Sequence, residues 1–376
     1  MYINPPYAEA ASVVAAIGTG DSKTGVAKAH KTRVTYRKAI GAATNELSAQ
    51  FMARIYHEIP MCTLALFSKL KFVCGQNFAQ FRKFLNAEYK AGFVVRANTF
   101  DNVAGQFPIA FTVWDLNGAA FPKYIDVDVP ENGGTKRFWV PLSRSINKWI
   151  VSFNKTVVNT IGYLTNPGPD FLHINQPYLT SIKGMRHIHY YAFDFKNLIP
   201  GCVYFSVRLC IEQTWLNDRD QFLYPNGGWE TDTEFQHDCL MFTLFHGQNR
   251  VSAAAGVNHW IPFTEKEVSP KEKFQSNFMS GFLKGRQFSP EARAVMDAGR
   301  ELWKYYHGKT KTNRTVSVNA SFYDIRAHFQ GRKESGTMNA ASTDEIYNAL
   351  IKTLRDAARA LAKKIEPKVY EYGFLR

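Results

Sequence analysis

The chain has 376 residues, 45% of them hydrophobic and 14% aromatic, which is enough apolar material for two or three buried cores and excludes a mainly disordered protein. Its 46 Lys and Arg outnumber its 32 Asp and Glu, and the net charge of +14 favours a polyanionic partner such as a nucleic acid. No apolar run is long enough to span a membrane and no signal-peptide pattern opens the sequence, so no membrane association is predicted.

Residues 1 to 120 alternate helical and strand-like segments. Apolar side chains at three- and four-residue spacing predict helices from Glu46 to Tyr56 and from Phe78 to Tyr89. A short apolar run of strand length, Leu64 to Phe67 with Val73, predicts one strand. Runs rich in β-branched and aromatic residues predict two more, at Phe93 to Val95 and Ile109 to Trp114. Helices that alternate with such strands predict an α/β sheet that is covered on both faces.

Two further zones follow. Residues 121 to 265 are rich in aromatic residues and broken by turns such as Asn132-Gly133-Gly134, which predicts irregular α+β structure. Residues 266 to 376 are predicted to be helical, with one helix beginning at Ser289-Pro290-Glu291 and another after a capping box at Ser342 to Glu345. From Lys271 onward there are 20 Lys and Arg and 11 Asp and Glu, so this zone holds most of the net charge.

The most informative motif is Asn4-Pro5-Pro6-Tyr7. An amino group conjugated to a purine ring is a poor nucleophile. Hydrogen-bond acceptors that draw its N–H bonds out of the ring plane make its nitrogen more nucleophilic. Asn4 offers a side-chain oxygen and Pro5 a carbonyl, while successive prolines fix φ at about −65°. Tyr7 offers a ring on which a base can stack. The motif favours methyl transfer to a planar amine; the alternative is a proline-rich turn after a short strand.

Further blocks in the first 120 residues resemble the DNA adenine-N6 methyltransferases of bacterial and phage restriction-modification systems, and the resemblance extends more loosely over residues 140 to 265. The blocks are Asn45-Glu46-Leu47, Phe67-Ser68-Lys69-Leu70-Lys71-Phe72, Thr99-Phe100-Asp101-Asn102-Val103 and Phe107 to Trp114. The resemblance implies an α/β fold with a partial Rossmann-like methyltransferase sheet, followed by an α+β and helical target-recognition region.

By this resemblance the chain takes part in site-specific methylation of adenine N6 in double-stranded DNA, with S-adenosyl-L-methionine as the methyl donor. Asn4 and the Pro5 carbonyl would accept hydrogen bonds from the N6 amino group of an adenine flipped out of the duplex. Pro6 would hold the turn, and Tyr7 would stack on the base. The family also implies a cytoplasmic protein encoded by a bacterium or a phage.

An aromatic residue near the late motif of the family usually covers the second face of the base. Phe107 is the candidate for this role, and Phe100 is its rival. For each of them, an ordinary place in the core is the alternative.

The cofactor-binding half of such an enzyme is missing from the sequence. In one arrangement of the family, the tetrapeptide comes first and the cofactor-binding half follows the recognition region. Since the tetrapeptide here begins at residue 4, a strand and a glycine-rich turn should lie in the C-terminal third, but no F-x-G-x-G turn occurs there. We therefore expect the C-terminal part of a longer enzyme, or a subunit that needs a separately encoded cofactor-binding half. Alone, it is expected to bind S-adenosyl-L-methionine poorly and to transfer no methyl group.

Two other functions remain open. A non-catalytic DNA-binding or specificity remnant of a restriction-modification enzyme would keep the same fold and basic surface. Methylation of another planar amide, such as a protein glutamine, would use the same tetrapeptide. The basic C-terminal region disfavours this last function, because a small protein substrate does not require such a surface.

A basic segment follows the tetrapeptide. Between Gly18 and Lys38 the sequence predicts a loop that closes over the flipped nucleotide and contacts phosphates, with a solvated mobile loop as the alternative. Its cations are Lys23, Lys28, Lys31, Arg33, Arg37 and Lys38. Near the C terminus, the candidates for phosphate contacts are Lys304, Lys309, Lys311, Arg314, Arg326, Arg332 and Lys333. Any one of these seven can equally be an ordinary exposed residue.

No metal site is predicted. His187-Ile188-His189 and His237-Asp238-Cys239 have no partner pair at the spacing of a zinc finger. Asn175-Gln176-Pro177-Tyr178 lacks the first proline of the tetrapeptide at residue 4 and is predicted to be a turn.

Overall fold

A computed structural model describes residues 1–5, 31–101, 103, 105–154, 157–184 and 189–376. The chain divides into two compact units. Unit 1 consists of Met1–Ser145, Asp170–Leu172 and Gln213–Gln221, and unit 2 of Ile146–Pro169, His173–Glu212 and Phe222–Arg376. The three zones inferred from the sequence, with boundaries near residues 120 and 265, stay a prediction.

Unit 1 is built on a mixed sheet. Its described elements are β1 (Tyr2–Ile3), α1 (Lys31–Ile40), α2 (Leu47–Glu58), β2 (Thr63–Ser68), α3 (Lys71–Cys74), α4 (Ala79–Phe84), β3 (Glu88–Arg96), β4 (Pro108–Asp115), β5 (Tyr124–Val129) and β6 (Gly134–Trp139). These six strands lie in the order β1-β2-β4-β3-β5-β6. β1 pairs with β2 in parallel, and β3 pairs with β5 in parallel, whereas β4 is antiparallel to both of its neighbours.

One face of the sheet is covered by helices. Strand residues alternate between the two faces, and the alternating buried positions of β2, β4 and β5 include Leu66, Trp114 and Val127. These side chains share one hydrophobic core with buried residues of the helices α1, α2 and α4, such as Ile40 and Met52. We call this side of the sheet the helical face.

The opposite side is half-exposed and aromatic. Tyr2, Phe67, Phe93 and Phe111 come from four different strands and form a chain of ring contacts at centroid distances of 5.0 to 6.2 Å. We call this side, defined by these four residues, the aromatic face. Among the described residues, helices pack against the helical face and the rings of the aromatic face are left partly open, so the expected burial of the sheet on both faces stays a prediction.

Two boundaries within unit 1 differ from the sequence prediction. Val73, which the sequence groups with a strand, lies in the short helix α3. The helix predicted from Phe78 to Tyr89 is shorter, because α4 ends at Phe84 and Tyr89 already belongs to β3. In Tyr89 the ring packs edge-on against Trp114, a cross-strand contact that a helical pattern cannot reveal.

An ion pair between two partly buried side chains holds the segment Gln213–Gln221 on the sheet of unit 1. The Lys136 ammonium donates to the Asp220 carboxylate at 2.7 Å. Burial raises the pKa of Asp220 to about 6, although Lys136 opposes the shift. Removal of one partner would leave the other charge partly buried and unpaired, which would lower the free energy of unfolding. The pair therefore fixes the position of Gln213–Gln221 on the sheet.

Unit 2 is mainly helical. Its elements are α5 (Ile146–Ile150), β7 (Gly162–Thr165), β8 (Leu179–Thr180), β9 (Tyr190–Phe193), α6 (Leu198–Leu209), α7 (Thr233–Phe245), α8 (Glu265–Val268), α9 (Phe278–Leu283), α10 (Pro290–Thr310), α11 (Phe322–Gln330) and α12 (Glu345–Glu371). The strands form a small antiparallel sheet in the order β8-β7-β9. Helices α6 and α7 are buried on nearly all sides, and α10 and α12 pack against α7.

The mixed α/β fold class and the helical C-terminal region are confirmed. Helix α10 begins where the sequence predicts, because Ser289 accepts a hydrogen bond from the Ala292 amide at 3.1 Å. The next predicted helix starts later than its proposed capping box, since Asp344 is the cap and accepts from the Tyr347 amide at 3.0 Å. In the described ranges, no helix is both long and apolar enough to cross a bilayer.

Two glycines of α10 should respond oppositely to alanine. A Cβ on Gly299 would lie 2.3 Å from the packed Phe245 ring, whereas nothing lies within 4 Å of one on Gly308. Gly299→Ala should lower the free energy of unfolding by about 1–3 kcal/mol through overpacking. Gly308→Ala should raise it by about 0.5–1 kcal/mol, because alanine favours a helix. Thermal melting measures both, and stabilisation by both variants would contradict the packing.

Candidate functional site

Four strands of unit 1 end at the same edge of the sheet. The strands β1, β2, β3 and β5 run in one direction, because β4 is antiparallel to β2 and β3 and the remaining pairs are parallel. We call the edge where these four strands end the carboxyl edge. In open α/β sheets, ligands bind just outside the carboxyl ends of parallel strands. The residues that follow these strands are therefore the natural candidates for a site.

Asn4 and Pro5 directly follow β1 at this edge. Ile3 lies beside Leu66 in the parallel register and packs against the core under the helical face. Extending the register by one residue places Asn4 beside Phe67, on the side of the aromatic face. Asn4 is exposed and Pro5 is buried. The amide side chain is thus presented to solvent from a backbone that is anchored on both sides.

The aromatic face continues to the carboxyl edge through Phe67. The ring of Phe100, which follows β3, meets the Phe67 ring edge-on with 5.5 Å between centroids. Phe100 is half-buried. Edge-on ring pairs of this kind contribute about 0.5–1.5 kcal/mol beyond their buried area, so Phe100 is anchored while part of its ring stays open.

Phe107 lies at the same edge, immediately before β4, and is also half-buried. The Lys69 ammonium lies 5.0 Å from the centroid of this ring, a cation–π contact made by the first residue after β2. Gly105 also lies against this ring, because a Cβ there would be 2.6 Å from Cε1 of Phe107. A side chain at residue 105 would therefore displace the ring.

The connection between β3 and β4, which carries both rings, is closed at its base. The Ala97 amide donates to the Phe107 carbonyl at 2.9 Å. Arg96 makes two hydrogen bonds to the Glu131 carboxylate, at 2.8 and 2.7 Å. Glu131 follows β5, so this bidentate pair ties together the ends of β3 and β5. These hydrogen bonds fix the base of the connection that carries both rings.

The structure brings together Asn4, Pro5, Phe100 and Phe107 at one edge. Pro6, Tyr7, Lys23 and Lys28 lie outside the described residues, so their predicted roles stay predictions. Helix α1 contains four of the predicted loop cations, so the prediction of a loop is wrong for Lys31, Arg33, Arg37 and Lys38. The reason is the buried pair Tyr36 and Ile40, four residues apart, which packs one face of α1 against the core.

A cofactor such as S-adenosyl-L-methionine needs a glycine-rich turn between a strand and a helix, where the backbone can approach it closely. Among the described residues, β2 leads to α3 through Lys69-Leu70, β6 leads to α5 through Val140 to Ser145, and β9 leads to α6 through Asp194 to Asn197. None of these three connections contains a glycine. These connections therefore do not fit this cofactor, and most of the connection from β1 to α1 lies outside the described residues.

In the part of the chain that the structure describes, His, Cys, Asp and Glu side chains form no group of three that could hold a metal. His237 is instead used in packing unit 2. Its Nδ1 lies 2.7 Å from the Gln287 carbonyl oxygen, and its Nε2 lies 2.8 Å from the Arg286 guanidinium. Burial lowers the pKa of His237. His187 lies outside the described residues.

The sequence alone predicts no role in the site for Lys69 or Gly105. Lys69 is a charged residue directly after an apolar strand, a pattern that in an open α/β sheet points to the ligand-binding edge. Gly105 carries no comparable signal, because its importance depends on the position of one ring two residues later.

Comparisons with known proteins leave the function open. No protein-family model matches the sequence, and no curated protein matches it significantly. Among solved structures, the chain is similar to one described as the Type IIL restriction-modification enzyme MmeI in complex with DNA, with 9% identity and a TM-score of 0.28. The match covers 99% of this chain and 56% of that chain, so the chain spans little more than half of its length. A TM-score this low carries no argument about fold or function.

Gly105→Ala tests how the Phe107 ring is seated. The new Cβ would clash with the ring, so we expect the free energy of unfolding to fall by about 1–2 kcal/mol. In the Phe107→Ala background the same substitution should leave the free energy of unfolding unchanged, because the obstructing ring is absent. Urea unfolding of the four proteins measures both values. Equal costs in the two backgrounds would show that the ring is not what excludes a side chain at residue 105.

Proposed function

We propose that unit 1 is the adenine-binding half of a DNA adenine-N6 methyltransferase. The observation that carries the proposal is the shared position of Asn4-Pro5, Phe100 and Phe107 at the carboxyl edge of one sheet. Hydrogen-bond acceptors suited to an amino group and half-buried rings suited to a base follow neighbouring strands there. The net charge of +14 supports a polyanionic partner, for which we propose double-stranded DNA.

In this proposal Asn4 and Pro5 recognise and activate the exocyclic amine. The Asn4 side-chain oxygen and the Pro5 carbonyl oxygen accept hydrogen bonds from the two N–H groups of adenine N6. These acceptors draw the hydrogens out of the ring plane, so the nitrogen lone pair localises and becomes a better nucleophile. Pro5 is buried behind the edge, which keeps its carbonyl in place during the reaction.

The rings of the carboxyl edge provide the surface on which the flipped base stacks. Phe107 remains the candidate for one face of the adenine, because its ring is in contact with Lys69 and lies close against Gly105. Phe100 remains the rival, since it also lies at this edge. Stacking of a base on an aromatic side chain contributes about 1–3 kcal/mol, which helps to offset the cost of removing the adenine from the duplex.

A non-catalytic DNA-binding or specificity remnant is the second candidate function. The observation that favours it is the absence of glycine from the three fully described connections between a strand and a helix, which therefore offer no glycine-rich turn to S-adenosyl-L-methionine. Both candidates bind DNA, but only an adenine-binding half should distinguish an unpaired adenine from other unpaired bases.

A duplex with an unpaired adenine should bind more tightly than the same duplex fully paired. An adenine opposite an abasic site is already partly unstacked, so the cost of extrusion falls by a few kcal/mol. We expect at least about tenfold tighter binding, measured by fluorescence anisotropy on labelled 20-base-pair duplexes. Thymine opposite an abasic site should give no such gain, because it has no exocyclic amine.

Substitutions at the carboxyl edge should remove this preference. We expect Asn4→Ala and Phe107→Ala to bring the ratio of the two affinities close to one. The matched controls are Asn117→Ala, an exposed residue beyond the opposite edge of the sheet, and Tyr124→Ala, an exposed ring on β5. Both controls should keep the preference. Equal binding of paired and unpaired adenine by the unaltered protein would support the remnant instead.

The chain alone should not methylate DNA. The fully described strand-to-helix connections do not fit the methyl donor, so radiolabelled methyl from S-adenosyl-L-methionine should not enter a random-sequence duplex pool above the level seen with Asn4→Ala. Scintillation counting of the recovered DNA measures the incorporation. Incorporation that Asn4→Ala abolishes would contradict the need for another cofactor-binding half.

A further inference from the structure

Helix α12 of unit 2 carries a row of cations on its exposed side. Lys352, Arg355, Arg359 and Lys363 are separated by three, four and four residues, and all four are exposed. At 100° per residue they lie within about 80° of one another around the helix. We call these four residues the basic stripe. It extends over about 17 Å of helix, since each residue rises 1.5 Å.

The stripe is only weakly neutralised by the protein itself. Asp356 is shared between Lys352, at 2.9 Å, and Arg359, at 2.7 Å. The side chains of these two cations are 77% and 69% exposed, so the pairs contribute little in water. In the described ranges, Arg355 and Lys363 have no acid within ion-pair distance. The stripe therefore keeps a net charge near +3, counted over Lys352 to Lys363.

A neighbouring guanidinium adds to this charge. Arg326 of α11 donates a hydrogen bond to the Gly247 carbonyl and lies over the Phe322 ring. Burial lowers the pKa of Arg326, and the nearby Arg355 lowers it further. Arg326 and Arg355 therefore both contribute to the positive potential of this surface, which attracts anions.

We infer that the basic stripe binds consecutive phosphates along double-stranded DNA, as a phosphate-binding surface on unit 2. A length of about 17 Å corresponds to about five base pairs of duplex, so each cation reaches a phosphate of its own. Phosphate contacts fix the register of a protein on the duplex without reading its sequence. The evidence for this surface is independent of the adenine-binding proposal for unit 1.

The surroundings of the stripe favour a duplex over other polyanions. Single-stranded nucleic acids are bound by cations interleaved with stacking rings, and the segment Lys352 to Lys363 contains no aromatic residue. A membrane-surface helix inserts its apolar side into lipid. The apolar side of α12 is already buried within unit 2, through residues such as Ile351, Leu354 and Leu361.

The test is the salt dependence of duplex binding by the full chain. Neutralising the stripe with Lys352→Gln, Arg355→Gln, Arg359→Gln and Lys363→Gln removes four phosphate contacts. The slope of log affinity against log salt should become shallower by about 3 to 4, and binding at 0.1 M salt should weaken at least about tenfold. Fluorescence anisotropy on a fully paired 20-base-pair duplex measures both quantities.

Two sets of variants control this experiment. Lys183→Gln, Lys196→Gln, Lys266→Gln and Lys284→Gln together remove the same charge from exposed and scattered positions of unit 2, and should change the slope by less than about 1. The pair Arg355→Lys and Arg359→Lys keeps the charge and should keep the slope. Unchanged melting temperatures will show that the variants fold.

Three results would overturn the inference. These are an equal salt slope for the stripe variant and the scattered variant, binding of a 20-nucleotide single strand as tight as that of the duplex, and equally effective competition by vesicles with 30% phosphatidylserine. Loss of the unpaired-adenine preference on its own would count against the adenine-binding proposal and leave the stripe intact. A shallower slope with that preference retained supports the stripe.

Discussion

The parallel pairing of β1 with β2 is the constraint on which the adenine-binding edge depends. It involves only two strand residues, reinforced by the Met1 ammonium, which donates to the Thr63 carbonyl at 2.6 Å, and by the Ala65 amide, which donates to the Met1 carbonyl at 2.8 Å. Burial of Ile3 under the helical face fixes the register. A slip of one residue would turn Asn4 toward the core and expose Ile3, because side chains alternate along a strand.

In the described part of unit 1, helices cover one face of the sheet, which explains how a short strand can support a site. Helices bury the helical face and hold the strands together, which leaves the rings of Phe67, Phe93 and Phe111 partly open. On β5 and β6 the same side is ionic, with Arg137 bound to Asp126 at 2.8 Å and lying over the Tyr124 ring. The aromatic part of this surface therefore lies on the strands nearest Asn4, where base stacking is proposed.

Much of the fold was predictable because it rests on local patterns. The strands β2 and β4 and the helix α2 follow from apolar spacing, and the start of α10 follows from Ser289 and Pro290. The open aromatic face was not predictable, since an apolar strand has the same composition whether one of its faces is covered or both are. The early end of helix α4 was not predicted for a similar reason, because Tyr89 fits both the helical and the strand periodicity of the sequence.

The candidate site was predictable only in part. Asn4 and Pro5 were predicted because the two hydrogen-bond acceptors come from consecutive residues of one motif, and Phe107 was proposed from a resemblance. The contact of Phe107 with Lys69 depends on two distant segments meeting at one edge, and its contact with Gly105 depends on how the ring is turned, which no local pattern encodes. The basic stripe of α12 lay hidden within a generally basic zone, because paired and unpaired cations look alike in a sequence.

The central claim is that an extruded adenine is bound at the carboxyl edge of unit 1. Photo-crosslinking tests it most directly, with a duplex that carries 8-azidoadenine opposite an abasic site and mass spectrometry of the labelled peptides. The account predicts crosslinks within residues 4–7, 67–69 or 100–107, competed by the same duplex with ordinary adenine and lost with Asn4→Ala. Crosslinks confined to other segments, or unaffected by that competitor, would contradict it.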